Sequence, residues 1–167
     1  GAFDSIFNIP YALKGRAIDI GGGPHDANCA YVATRYLVDC VVYDPFMRNE
    51  THNQNVLKMA SAKPFDIVFS ISVLNVISSF RSRIDHIKLC LKSLKFNGKA
   101  VFKVWPGDGL KEGKETSSGY QSNRQIESYF DEIISVFGRN RVYFDRIEKA
   151  IICFNEQESY AKGSISL

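Results

Sequence analysis

Three features of the sequence predict an α/β domain, with a mostly parallel twisted sheet flanked by helices and an antiparallel closing hairpin. Short apolar runs alternate with segments of helical periodicity. The first run ends in a Gly-rich turn that leads into a helix. The last two runs are separated by little more than a turn, so they pair antiparallel. At 167 residues the chain is large enough for one domain and too short for two, and 1–167 reads as a single unit. A 45% hydrophobic fraction with 12 Phe and 8 Tyr suits a packed core and argues against disorder.

The elements follow in chain order. Arg16-Ala17-Ile18-Asp19-Ile20 is a strand stopped by Gly21-Gly22-Gly23-Pro24. Asp26 is placed to cap a helix whose inward face is Ala27, Ala30, Tyr31, Thr34 and Leu37. Cys40 to Tyr43 is a second strand, closed by Asp44-Pro45. The polar stretch from Phe46 to Lys63 carries no clear period. Asp66 to Ile71 is the third strand. Ser79 caps a helix with Phe80, Ile84, Ile87, Leu91 and Leu94 at inward spacing, Arg83 and the other basic residues pointing away, and Asn97-Gly98 as its left-handed stop. Ala100 to Trp105 forms a strand, ended by Pro106-Gly107. A Gly- and Lys-rich loop follows, reading as a mobile lid over Gly107 to Gly119. Then come a helix carrying Ile126, Tyr129, Phe130, Ile133, Ile134 and Phe137, and the two closing strands at 142–144 and 150–154.

Composition narrows the function classes. A net charge of +3 permits a basic surface without requiring a nucleic-acid partner. The four Cys (Cys29, Cys40, Cys90, Cys153) are scattered in apolar contexts and read as buried thiols; no ligand spacing suggests a metal. No apolar run approaches the roughly 18 residues of a membrane span, and no targeting segment is seen, so the expected setting is cytoplasmic with no membrane partner. The chain begins Gly1-Ala2 without Met, which leaves room for additional domains in a longer protein.

The chemistry concentrates at Asp19-Ile20-Gly21-Gly22-Gly23-Pro24. A strand ending in glycines lets a ligand approach the backbone without meeting a Cβ. Dinucleotide-binding turns need a sixth-position glycine, and here that slot holds Asp26, which also sets a negative charge where a pyrophosphate would sit. An acid within the strand, Asp19, suits a ligand carrying an ammonium and a sulfonium. Asp44 ends the second strand, 21 positions after Gly23, where a carboxylate can accept from both ribose hydroxyls of a nucleoside.

These residues, together with Phe65-Asp66-Ile-Val-Phe-Ser70, resemble motifs I, II and IV of the class I, Rossmann-like S-adenosylmethionine-dependent methyltransferases, over roughly residues 16 to 105. Ser72-Val-Leu-Asn75, Gly107-Asp108-Gly109 and Gly119-Tyr120-Gln121-x-Asn123 further resemble a group of phage and bacterial methyltransferases of unassigned substrate. The resemblance implies a seven-stranded sheet with the last strand antiparallel. It implies S-adenosylmethionine as cofactor and S-adenosylhomocysteine as product. Asp19, Gly21, Gly22 and Gly23 would hold the methionine end, Asp44 and Pro45 the ribose, and Ser70 would line the cleft. Two departures stand out: about fifteen residues precede the first strand, where a lid helix is expected, and about twenty lie between Asp44 and Phe65 for a helix, a strand and the adenine contacts, for which Asn55 and Val56 are the guesses.

Acceptor chemistry is less constrained. The Pro-Pro of DNA amino-methyltransferases is absent after Ser70-Ile71. Ribose methyltransferases use a Lys-Asp-Lys-Glu set, of which Lys103 and Glu148 fit and Ile71 does not. Asn75, Gln121 and Asn123, with Tyr120, are expected to face an acceptor of unknown identity, small molecule or nucleic acid, opposite Gly21 and Asp44. The expected reaction moves a methyl group to oxygen or nitrogen. The rivals are a catalytically silent domain and an RNA ribose or cap methyltransferase using Lys103. His25, His52 and His86 are expected at the surface.

Overall fold

The computed structural model describes residues 1–108 and 113–156. Its elements are helix α1 (Ala2–Phe7), strand β1 (Arg16–Ile20), α2 (Ala27–Tyr36), β2 (Asp39–Tyr43), α3 (Glu50–Ala62), β3 (Phe65–Ile71), α4 (Phe80–Lys92), β4 (Leu94–Lys103), β5 (Lys114–Thr116), β6 (Gly119–Gln121), α5 (Phe130–Phe137), β7 (Val142–Asp145) and β8 (Ala150–Phe154). The main sheet has six strands in the order β2-β1-β3-β4-β8-β7, and β5 pairs with β6 as a separate hairpin. The β1–β2, β1–β3 and β3–β4 pairings are parallel, while β8 runs antiparallel to β4 and β7.

Strand alternation sorts the core into two layers. Ala17, Ile67, Phe69, Val101 and Ile152 face α1 and α2 through Phe3, Ile6 and Val32. Ile18, Ile20, Val68, Ala100, Phe102 and Ile151 face α3, α4 and α5 through Val56, Ala60, Ile87, Cys90, Ile133 and Phe137. Cys29, Cys90 and Cys153 are buried thiols and Cys40 is half-buried. None of the helices described is long and apolar enough to cross a membrane.

Four expectations are corrected. The α2 face is rotated: Cys29 and Val32 are buried, whereas Tyr31 is 45% and Leu37 87% exposed. Leu37 takes a left-handed turn (φ 56°) into β2, which sends it outward and Val38 inward. In α4, Arg83 is buried while Phe80 is exposed, Leu94 belongs to β4, and the helix ends at Lys92. Asn97 is left-handed (φ 62°) but lies within β4, where its N–H donates to the Asn155 carbonyl at 2.7 Å. The Gly107–Gly119 stretch is in part the β5–β6 hairpin; residues 109–112 lie outside the described ones.

The fourth correction concerns the polar stretch and the seventh strand. Asn49 caps α3 by accepting from the His52 N–H at 2.8 Å, so the segment spends its length on one helix. Among the described residues no strand lies outside β2, which is therefore the sheet edge. His52 blunts that edge, its Nε2–H donating to the Val42 carbonyl at 2.7 Å. A cavity of about 330 Å³ flanks this edge, lined by Asp26, Cys29, Ala30, Ala33 and Cys40 to Val42 with His52. Before the Gly turn, α1 is no lid: Phe3 packs edge-on to Phe69 and Phe7 stacks on Tyr36, tying it to the sheet face.

Candidate functional site

The carboxyl ends of β1 and β2 build one half of the site. The Gly21 N–H donates to the Tyr43 carbonyl at 2.7 Å, extending the β1–β2 ladder into the turn. Gly21 (φ 87°) and Gly23 (φ 83°) then take conformations that L side chains avoid. A Cβ on Gly21 would lie 2.5 Å from a Val73 methyl, so this glycine serves the close approach of the loop after β3. A Cβ on Gly23 would meet nothing within 4 Å; the backbone there opens onto free space. Gly22 is pressed against the Asp19 carboxylate.

Asp44 locks this turn to β2. Its Oδ2 accepts from the Gly23 N–H at 2.9 Å, and Oδ1 accepts from Phe46 and Met47 N–H at 3.0 and 3.1 Å. Those bonds fix Pro45 in a tight turn after the strand. A carboxylate offers roughly four lone-pair positions. Three are used here, which leaves one, on Oδ2.

Two residues the sequence reading missed hold the arrangement. Asn53 bonds the Asp44 backbone on both sides, accepting from its N–H at 3.1 Å and donating to its carbonyl at 2.8 Å. Arg48 donates through Nε to the Gly23 carbonyl at 2.8 Å and pairs with Asp26 at 2.7 Å. The charge of Asp26 is thus compensated, so it no longer argues against a pyrophosphate; the missing sixth glycine still does. An Asn-x-x-His start to α3 was readable as a cap, but nothing in the sequence linked Asn53 or Arg48 to the turn. Asn55 is exposed on α3 and Val56 is in the core.

Asp19 is 2% exposed, beneath Gly22. Burial first, and the Asp44 charge second, push its carboxyl up to about 7. Ser70 is also buried, sharing a 2.8 Å hydrogen bond with His86 Nε2, with the Cys90 sulfur 3.7 Å from the same nitrogen. Ser70 thus faces α4 rather than the cleft, and His86 is internal rather than on the surface. Burial lowers the His86 imidazole to about 4, so it is neutral at pH 7.

The other half of the site comes from β3 and β4, which are neighbours as expected. The Ser122 N–H donates to the Asn75 carbonyl at 2.7 Å, joining the loop after β3 to hairpin strand β6. Gln121 Nε2 donates to Asn123 Oδ1 at 3.2 Å, and Asn123 Nδ2 donates to Asp108. Both amides are thereby engaged in tying the loops. Asn75 is 3% exposed and its Oδ1 has no partner. Tyr120 is half-buried on β6.

Lys103 is not brought together with these amides. It points to the opposite sheet face, where its ammonium donates to Ser5 Oγ in α1 and to the Glu148 carbonyl. That makes it a strut between α1 and the β7–β8 turn. Lys103→Met is expected to cost roughly 1–2 kcal/mol of stability and to speed amide exchange in α1, with cofactor affinity nearly unchanged. Unaltered exchange in α1 would refute the strut.

A parallel sheet with a glycine turn and an acid at neighbouring carboxyl ends defines a Rossmann-like nucleoside-binding class. A family model described as a methyltransferase domain matches residues 8–157, and the chain belongs to that family. No curated protein matches the sequence. Among solved structures, TnmH matches with a TM-score of 0.58 at 13% identity, over 93% of this chain and 54% of that one. The sugar N-methyltransferase KedS8 from Streptoalloteichus sp. matches at 0.57 and 11%, over 86% and 81%. CalS10, an amino pentose methyltransferase from Micromonospora echinaspora solved with S-adenosylmethionine, matches at 0.51 and 14%, over 92% and 88%. The chain spans about half the length of TnmH. At these identities the likeness is one of fold.

Proposed function

We propose that the chain is a methyltransferase that moves a methyl group from S-adenosylmethionine to an oxygen or nitrogen acceptor. The observation that carries this is the Gly23–Asp44 lock: open backbone at a positive-φ glycine, beside a buried carboxylate with one acceptor position left. The residues fit a nucleoside whose ribose hydroxyl donates to Asp44 Oδ2 and whose chain lies over Gly23. Bound there, S-adenosylmethionine supplies a methyl group on a sulfonium. The protein's own part is to orient it and to present the acceptor's lone pair in line. The solved structure of CalS10 with S-adenosylmethionine supports the cofactor; the acceptor side falls to the loops after β3 and β4, including Asn75, Gln121 and Asn123. The ribose-methylation alternative needs the Lys103 ammonium at the cleft and gains no support from its place under α1.

Calorimetry is expected to show S-adenosylhomocysteine binding at micromolar to sub-millimolar affinity. Asp44→Asn keeps the shape of the turn but replaces one acceptor oxygen by a donor, and should weaken binding by roughly 1.5–3 kcal/mol. Failure of the unmutated protein to bind at millimolar cofactor would leave a silent domain as the reading.

A further inference from the structure

The loops after β3 and β4 expose apolar side chains at the end of the sheet where an acceptor would sit. Val76 is 48%, Phe80 61% and Trp105 62% exposed. Single exposed apolar residues are ordinary, but these three flank two adjacent strands. The basic residues at this end are largely engaged. Arg83 is paired with Glu132 and donates to the Ile77 and Ser78 carbonyls. Arg124 lies 4.2 Å over the Tyr129 ring. Among the described residues of these loops, Arg81 and Lys114 are exposed, too few to follow a chain of phosphates. Within the same loops, Asn75 Oδ1 is a buried acceptor without a donor. Buried polar atoms in native structures are satisfied, and an amide oxygen can be satisfied only by an N–H or O–H.

We infer that the methyl acceptor is a small, uncharged, largely apolar or aromatic molecule carrying one N–H or O–H group. This rests on the methyl-transfer reading above. Trp105 packs against the body of the acceptor, and Asn75 Oδ1 accepts the hydrogen of the reacting group, which turns that group's lone pair away from the amide. In the transfer, the lone pair forms the new bond to the methyl carbon and the carbon–sulfur bond breaks, its electrons staying on sulfur. The acceptor's proton leaves to water, because an amide is too weak a base to keep it.

Trp105 is the single tryptophan of the chain, so its emission reports on this site. The test titrates umbelliferone, its methyl ether and its phosphate ester at mildly acidic pH, with and without S-adenosylhomocysteine. Umbelliferone should quench Trp105 and bind about tenfold tighter than the ether, which lacks the donor, and than the phosphate. By calorimetry, Trp105→Ala should weaken umbelliferone about tenfold. Asn75→Leu should erase the preference over the ether without lowering the melting temperature or the affinity for S-adenosylhomocysteine. Equal binding of umbelliferone and ether, tighter binding of the phosphate, or no quenching at millimolar umbelliferone overturns the proposal. Loss of S-adenosylhomocysteine binding alone sinks the methyl-transfer reading instead, and the titration of the unliganded protein still decides the acceptor class.

Discussion

Replacing Arg83 by Ala is expected to lower the free energy of unfolding by about 3–5 kcal/mol, because it strands a carboxylate in the interior. The Arg83 and Glu132 side chains are only 10% and 12% exposed, and the guanidinium meets both carboxylate oxygens at 2.9 Å. It also donates to the Ile77 and Ser78 carbonyls, so the pair joins α4 and α5 to the loop after β3. Urea denaturation should show a lower midpoint with an unchanged slope. The double variant Arg83→Met with Glu132→Leu should recover most of the loss, since it buries no unpaired charge. A single variant within about 1 kcal/mol of the unmutated protein would show that the pair behaves as a surface ion pair.

The second large effect lies at Asp19. Its carboxyl is raised from 3.8 to about 7, so between these values the native state holds a proton that the unfolded chain has lost. Stability from this group therefore falls as pH rises through that window, by about 4 kcal/mol in all. His86 acts in the opposite sense. Lowered from 6.5 to about 4, it is neutral in the native state while the unfolded chain binds a proton, so its contribution falls as pH drops below 6.5. The two slopes oppose each other, and the unmutated protein should show a nearly level stability from about pH 4 to pH 8, falling by less than about 1 kcal/mol over that range. Asp19→Asn should match it near pH 4 and exceed it at pH 8 by a few kcal/mol. Parallel curves for the two proteins would show that Asp19 is ionised like an exposed acid. A cation bound over the turn favours the ionised carboxylate, so cofactor affinity should rise with pH up to about 7.

How far the site was legible follows from the range of each interaction. The strand ending in Gly21 to Gly23 and the acid at position 44 are local patterns, and both halves met as expected. The neighbouring of β3 and β4, which brings Asn75 to the β6 segment, followed from the parallel alternation of elements. Ser70 and Lys103 were placed on the right strands, but the partners that claim their polar ends lie 16 and 98 residues away along the chain. No periodicity records a partner at that distance.

The sequence by itself determined the class of fold, the order of its strands' chemistry and the position of the glycine turn, because apolar alternation and backbone freedom act over a few residues. The tertiary structure alone decided which polar groups remain available for a ligand. It leaves one lone-pair position on Asp44, engages Gln121 and Asn123 with each other and with Asp108, and leaves Asn75 Oδ1 without a donor. It also moved Arg83 from the presumed outer face of α4 to a buried pair with Glu132, 49 residues away. The physical reason is that a hydrogen bond or an ion pair is fixed by distance in space, and only the packing of helices on both faces of the sheet sets those distances.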